Sequence, residues 1–196
     1  MRLYKRNSRS LIQLSVLLLG GYGLILAQKP PTAGTADAAI VAQFEAKVKQ
    51  YLDFRQSTAG KPPKPSDKPA DIVSRQREMA NQIRVARAGA KQGEVFPSEI
   101  AQYFRKQIAA SLSGPHGDQI RSSLRHAEPV KMELQINQSY PANQPLQSTP
   151  PTLLLNLPEL PDGLEYRLMN RELVLRDTEV NLVVDCVPNA LPESIQ

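Results

Sequence analysis

The sequence predicts an α+β fold: an N-terminal helical hairpin or small bundle, then a proline-rich crossing, then a short antiparallel β-meander. Three observations point there. Apolar residues recur every three to four positions through residues 37–128, the period becomes two after Pro129, and several of the 17 prolines cluster where neither a helix interior nor a central strand accommodates them.

The chain opens on MRLYKRNSRS, which carries Arg2, Lys5, Arg6 and Arg9 and no acid. Behind it, Leu11 to Ala27 runs 17 residues without a charge, diluted by Gln13, Ser15, Gly20, Gly21 and Gly23. A bilayer span needs about 20 predominantly apolar residues, so this run is short and impure for one. A basic segment, a modest apolar run and a small residue before Gln28 instead match a signal peptide, with the cut expected after Ala27 although Ile25 is imperfect for it. The alternative is an uncleaved anchor at residues 11–27 in the inner membrane. Both readings keep the N-terminus cytoplasmic and place the bulk of the chain outside, in the periplasm or the medium.

Residues 28–36 read as a linker. In DAAIVAQFEAKVKQYLDFR, Ile40, Val41, Phe44, Val48, Tyr51 and Leu52 share a helix face, and Glu45 with Lys49 makes an i,i+4 pair. Pro62, Pro63, Pro65 and Pro69 then impose an extended, polyproline-type loop. A second helix follows Pro69, with Ile72, Met79, Ile83, Ala86 and Ala90 on one stripe and Gly93 as its stop. Ile100, Phe104, Ile108 and Leu112 mark a third helix ending at Gly114, and a short fourth spans HGDQIRSSLRHA. The helical region is thus 37–128.

From 129 to 163 a strand is expected at KMELQIN, where Met132, Leu134 and Ile136 alternate with polar residues, followed by a proline-rich extended stretch through LLLNLPELPDG. The tail, 164–196, carries LEYRLM, ELVLRD and NLVVDCV, with turns at Asn170-Arg171 and around Thr178-Glu179.

The full chain has a net charge of +5 from 24 basic and 19 acidic residues. Without the four cations of the leader, 20 face 19, a net of +1, so the basicity resides mostly in the targeting segment. Residues 69–131 keep ten basic and six acidic side chains, whereas 152–196 hold three and eight; the two halves are solvated faces or partners to one another. Nucleic acid is not expected, because Trp is absent and aromatics make up only 5%. Cys186 is the single cysteine, so no intrachain disulfide forms, and its place in NLVVDCVP reads as a small buried hydrophobe.

Catalytic chemistry finds little footing. His116 and His126 stand ten residues apart, about 15 Å along a helix, too far to share a metal. No zinc, nucleophile-elbow or phosphate-loop spacing occurs, and Asp162 with Glu165 or Asp177 with Glu179 fall at turns where acids are common. No catalytic, cofactor or metal site is therefore predicted. The candidate interaction face is basic: Arg75, Arg84, Arg87, Lys91, Arg105 and Lys106, suited to another envelope protein or an anionic envelope surface.

The segment YRLMNRELVLRDTEVNLVVDCV, residues 166–187, resembles the small C-terminal hairpin module of periplasmic proteins linked to nickel and cobalt homeostasis. That resemblance implies the hairpin fold; it brings no metal ligands, since the segment lacks His and has one Cys. With ARAGAKQGEVF and LPELP, the chain also looks like uncharacterised exported bacterial proteins. The expectation is an exported envelope protein acting as a non-catalytic interaction module. The alternatives are an envelope hydrolase with a carboxylate-based site and a metal-homeostasis accessory protein.

Overall fold

The computed structural model describes residues 33–61, 68–127, 133–140 and 149–193. The expected export segment, the start of the linker and the core of the first proline loop lie outside these residues. The fold is α+β: among the described residues, five helices precede a three-stranded antiparallel sheet. Helix α1 spans Ala33–Ala59, α2 Pro69–Ala86, α3 Ser98–Ser113, α4 Gly117–Arg125 and α5 Pro151–Leu154. Strands β1 (Leu164–Met169), β2 (Glu172–Asp177) and β3 (Leu182–Val187) pair in sequence order as a meander.

The expected apolar stripe of α1 is largely realised. Phe44, Val48 and Tyr51 are buried, with Ile40 and Leu52 packed against the core at their edges. The helix begins earlier than expected, so residues 33–36 form its first turn rather than the end of a linker. Lys49 pairs forward with Asp53 at 2.5 Å instead of back with Glu45. An acid N-terminal to lysine is the better i,i+4 orientation on a helix, which favours Glu45, yet the contact that forms is the one to Asp53.

Helix α2 follows Pro69 as expected and buries Met79, Ala80 and Ile83 against Ala59, Val180 and Leu182. It stops at Ala86, seven residues short of Gly93, and Ala86 is exposed. Residues 87–96 form turns and bends instead, and the amides of Gly93, Val95 and Phe96 find an acceptor in the sheet. Helix α3 fulfils its stripe: Ile100, Phe104, Ile108 and Leu112 are all buried. Its turn into α4 is tight enough to require glycine at 117, where a Cβ would collide with the Leu112 carbonyl.

The sheet lays one face on the helices. Leu164, Tyr166, Leu168, Leu173, Leu175 and Val187 join α1, α3 and α4 in the main core. At its centre Phe44, Phe96, Phe104 and Tyr166 form an aromatic cluster, with ring centroids 4.9 Å apart for Phe44–Phe104 and 5.0 Å for Phe96–Phe104. The opposite face holds Met169, Val174, Val183 and Cys186, covered by Leu134, Ile136 and Tyr140. Asn170 and Asn181 take positive φ at the two strand turns, a conformation asparagine tolerates better than most residues.

Two expectations for 129–163 are corrected. The described part of KMELQIN, from residue 133, makes no strand ladder: Ile136 and Asn137 turn, and only Ser139 bridges Leu182. Leu134 and Ile136 do alternate in burial with Glu133 and Gln135, so the period of two records one-sided cover of the sheet rather than membership of it. The LLLNLPELPDG stretch opens with α5, because Pro151 occupies a first-turn position where its missing N–H costs nothing.

Two aspartates are fully buried in the sheet, Asp177 at the end of β2 and Asp185 within β3. The Asp185 carboxylate accepts from the amides of Gly93 (2.9 Å), Val95 (2.7 Å), Phe96 (2.8 Å) and its neighbour Cys186 (2.8 Å). A β-bulge between Leu175 and Arg176 shifts the register here, which lets the consecutive residues Val184 and Asp185 both address the helical side. Asp185→Ala removes the acceptor of amides that are themselves buried. It is expected to cost about 3 kcal/mol or more in urea denaturation, with the circular-dichroism signature of the helices retained at zero denaturant if the remaining core holds.

Candidate functional site

The predicted basic face is best judged by what each side chain touches. Arg84 donates from Nε to the Asn137 carbonyl (3.1 Å), from Nη1 to Asn81 Oδ1 (2.7 Å), and from Nη2 to the Ser139 hydroxyl. Arg87 donates to Asn137 Oδ1 (3.0 Å), Glu94 Oε2 (2.8 Å) and the Val184 carbonyl (3.2 Å), and its guanidinium lies over the Tyr51 ring at 5.3 Å. Arg75 reaches Glu78 and the Ala59 carbonyl. Arg105 donates to the Pro188 carbonyl at 3.0 Å, beyond the end of β3. Lys106 pairs with Asp37 of α1 at 3.0 Å. Lys91 is exposed, and its backbone amide donates to Glu94 Oε1.

Arg84 and Arg87 are brought together on Asn137, whereas Arg75, Arg105 and Lys106 each address a different part of the fold. Three of the four guanidinium groups, those of Arg84, Arg87 and Arg105, hold backbone carbonyls of β3 or of the segments beside it. The helical half and the tail half are therefore partners through Arg–carbonyl hydrogen bonds as well as through the buried Arg55–Asp177 ion pair. In that pair, Arg55 Nη1 donates to both carboxylate oxygens at 2.9 and 3.0 Å, and the Tyr51 hydroxyl donates at 2.8 Å. Burial, then the charge and hydrogen bond of Asp177, push the Tyr51 phenol well above its ordinary range.

The remaining titratable candidates are placed individually. His116 and His126 cap the two ends of α4, and His126 Nδ1 lies 2.7 Å from the Ser122 carbonyl. Among the described residues no group of three or more His, Cys, Asp or Glu is arranged to hold a metal. Glu165 lies between Arg167 (2.7 Å) and Arg176 (2.8 Å) on the face of the sheet turned away from the helices. Burial alone would raise its carboxyl, but the hydrogen bonds and charges of the two arginines outweigh this and bring it below the usual range. Asp162 is exposed, and Asp177 accepts from the Glu179 amide rather than facing its carboxylate.

Two surface grooves flank α1. One, of about 310 Å³, is bounded by Lys47, Gln50, Tyr51, Phe54, Arg87, Glu94 and Val95. Burial acts to raise Glu94, yet the hydrogen bonds from Arg87 and the Lys91 amide and the charges of Arg87 and Lys47 win and lower it. This groove is electrostatically closed on itself by the Arg87–Glu94 pair.

The other groove, of about 370 Å³, runs between α1 and the LPELP segment. Phe44, Val48, Leu52, Leu160 and Pro161 line it, with Glu45, Lys49 and Glu159 at the margins. Phe44 and Val48 are buried beneath it, and its accessible apolar surface comes from Leu52, Leu160 and Pro161. Lys49 is held by Asp53, which leaves the charges of Glu45 and Glu159 dominant at the rim. Both glutamates are exposed, and among the described residues neither joins an ion pair. Sequence reasoning picked out Leu52 as core and LPELP as a motif, but not their meeting. The signal available was that Leu52 continues the Phe44–Val48 stripe by one turn.

Comparison with known proteins finds no matching family model, no matching curated protein and no matching solved structure.

Cys186 is buried as expected for a small hydrophobe. Burial first, and then the nearby charges of Glu172 and Asp185, push its thiol up to about 12 from an ordinary 9.0. A folded thiol that titrates above its unfolded counterpart contributes stability below pH 9 that is lost as pH rises toward 12. Labelling with a thiol-specific disulfide reagent at pH 8 is expected to be slow in the native protein and rapid in 8 M urea; rapid native labelling would contradict the buried assignment.

Proposed function

We propose that this chain is an exported envelope protein that acts by binding another macromolecule and not by catalysis. The export part rests on the basic leader and the apolar run at residues 11–27. The binding part rests on one observation, the surface groove between α1 and LPELP, where Leu52, Leu160 and Pro161 keep apolar surface beside the exposed Glu45 and Glu159. An apolar cleft open along one side, bounded by charges that fold-internal partners do not neutralise, suits a protein segment better than a compact small molecule.

The rival readings find less support. A carboxylate hydrolase needs acids free to exchange protons with a substrate, whereas Asp177 and Asp185 are saturated by structural donors and Glu165 is clasped by two arginines. A metal-accessory role needs converging ligands, and His116 and His126 sit at opposite ends of α4. Of the basic residues predicted as an interaction face, Arg84, Arg87 and Arg105 support the fold through contacts with β3 or the segments beside it. Lys91 keeps an exposed side chain, so a lesser contribution of that face to partner binding belongs to the same proposal.

The test is photo-crosslinking in cells that make the protein, with benzoylphenylalanine at Leu52 or at Leu160, and at the exposed Val85 on α2 as a reference. The expected result is an adduct of discrete mass from the groove positions only, recovered in the envelope or secreted fraction. Adducts no more frequent than those from Val85, or recovery of the chain in the cytoplasm, would overturn the reading.

A further inference from the structure

Helix α2 and the turns after it are held by residues that follow them in the chain. The buried residues of α2, Met79, Ala80 and Ile83, share a cluster with Ala59 and Phe54 of α1 and with Val180 and Leu182. Among the described residues, no member of α3 or α4 belongs to that cluster. Gln76 donates to the Thr178 carbonyl (3.0 Å), Arg87 to that of Val184 (3.2 Å) and Gln92 to that of Cys186 (3.4 Å). The amides of Gly93, Val95 and Phe96 end on the Asp185 carboxylate. These acceptors lie from 89 to 102 positions later in the chain than their donors.

We propose that this arrangement is a folding lock: α2 and residues 87–96 do not form stably until β2 and β3 are in place, so a chain that has made only its helices stays open at α2. The use of the lock rests on the export reading above, because a precursor threaded across a membrane has to remain unfolded until its later part follows.

Missing partners are the physical cause. Most of the stability of a helix in a protein comes from packing its apolar face, not from propensity. Helix α2 spans 18 residues and buries three of them, and α1 supplies only part of their cover. Three of the amides at 93–96 have one acceptor in common, and that acceptor is in β3. Contacts over such separations reward the chain only after the loop between them has closed. Helix α3 differs, since its Phe104 meets Phe44 of α1 at 4.9 Å and so has a partner made before it. The lock therefore acts at α2 and the turns that follow it.

The experiment is pulsed hydrogen exchange during refolding of the full chain, read by NMR at Ile83, Val95, Phe96 and Leu175, with Ile108 of α3 as a reference. Unfolding in urea is kept brief, so that the X–Pro bonds of the 17 prolines retain their native isomers. Ile83 is the discriminating amide, since hydrogen bonds within α2 would protect it without the sheet. The expected result is a shared phase, in which Ile83, Val95 and Phe96 gain protection at the rate of Leu175 in β2 within about twofold, whatever the rate at Ile108. Protection of Ile83 in a phase earlier than that of Leu175 would overturn the lock. A second arm adds protease to fractions of pulse-labelled cells, where the cytoplasmic chain should be digested and the exported chain should resist. A resistant chain that accumulates in the cytoplasm, with the shared phase intact, would overturn the export reading and leave the lock in place.

Discussion

Two carboxylates buried in a three-stranded sheet carry the architecture of this protein. An ionised group withdrawn from water costs several kcal/mol unless its oxygens are met by donors, and here each aspartate is met by donors from outside its own strand. Asp177 takes Arg55 and Tyr51 from α1, and Asp185 takes three amides from the turns that join α2 to α3. Breaking either contact leaves a bare charge in an apolar layer, so helices and sheet are committed to one arrangement. Apolar packing alone would tolerate small sliding of α1 over the sheet; a guanidinium nitrogen shared by both oxygens and a phenol on the same carboxylate do not.

The same logic explains where the helical arginines go. A short three-stranded sheet has two open edges and limited core, and an uncovered edge invites pairing with another chain. Arg87 and Gln92 donate to the carbonyls of Val184 and Cys186, and the Asn137–Gln138 turn exchanges backbone bonds with Val183, so β3 is capped along much of its outer edge. Cations that the sequence presents as a surface patch thus act as struts between layers. With Arg84, Arg87 and Arg105 engaged inside the fold, the groove between α1 and LPELP, with Glu45 and Glu159 at its margins, stands out on the surface.

The fold class was readable because it depends on periodicity. The α3 stripe and the alternation in LEYRLM and ELVLRD survive intact, and Asn170-Arg171 turns where expected. Misreadings arose where tertiary partners overrule local pattern. Residues 87–93 look helical by their alanines, but the Gly93 amide is claimed by Asp185, more than ninety positions away. KMELQIN alternates like a strand yet serves as a lid over Val174 and Val183. Asp185 itself, in NLVVDCVP, reads as an ordinary wet-face residue of an edge strand, and no local signal announces that a bulge turns it inward. The groove is hidden for a related reason: its two walls are more than a hundred residues apart, and each alone looks like common core or loop.

The most direct test of the two-aspartate account is native-state hydrogen exchange at the amides of Val95, Phe96 and Val180. All three lie in turns outside the regular elements, and all three donate to a buried aspartate carboxylate. The account predicts protection close to that of the central strand β2, lost together with it on global unfolding. Exchange at the rate of ordinary surface turns, with β2 still protected, would contradict it.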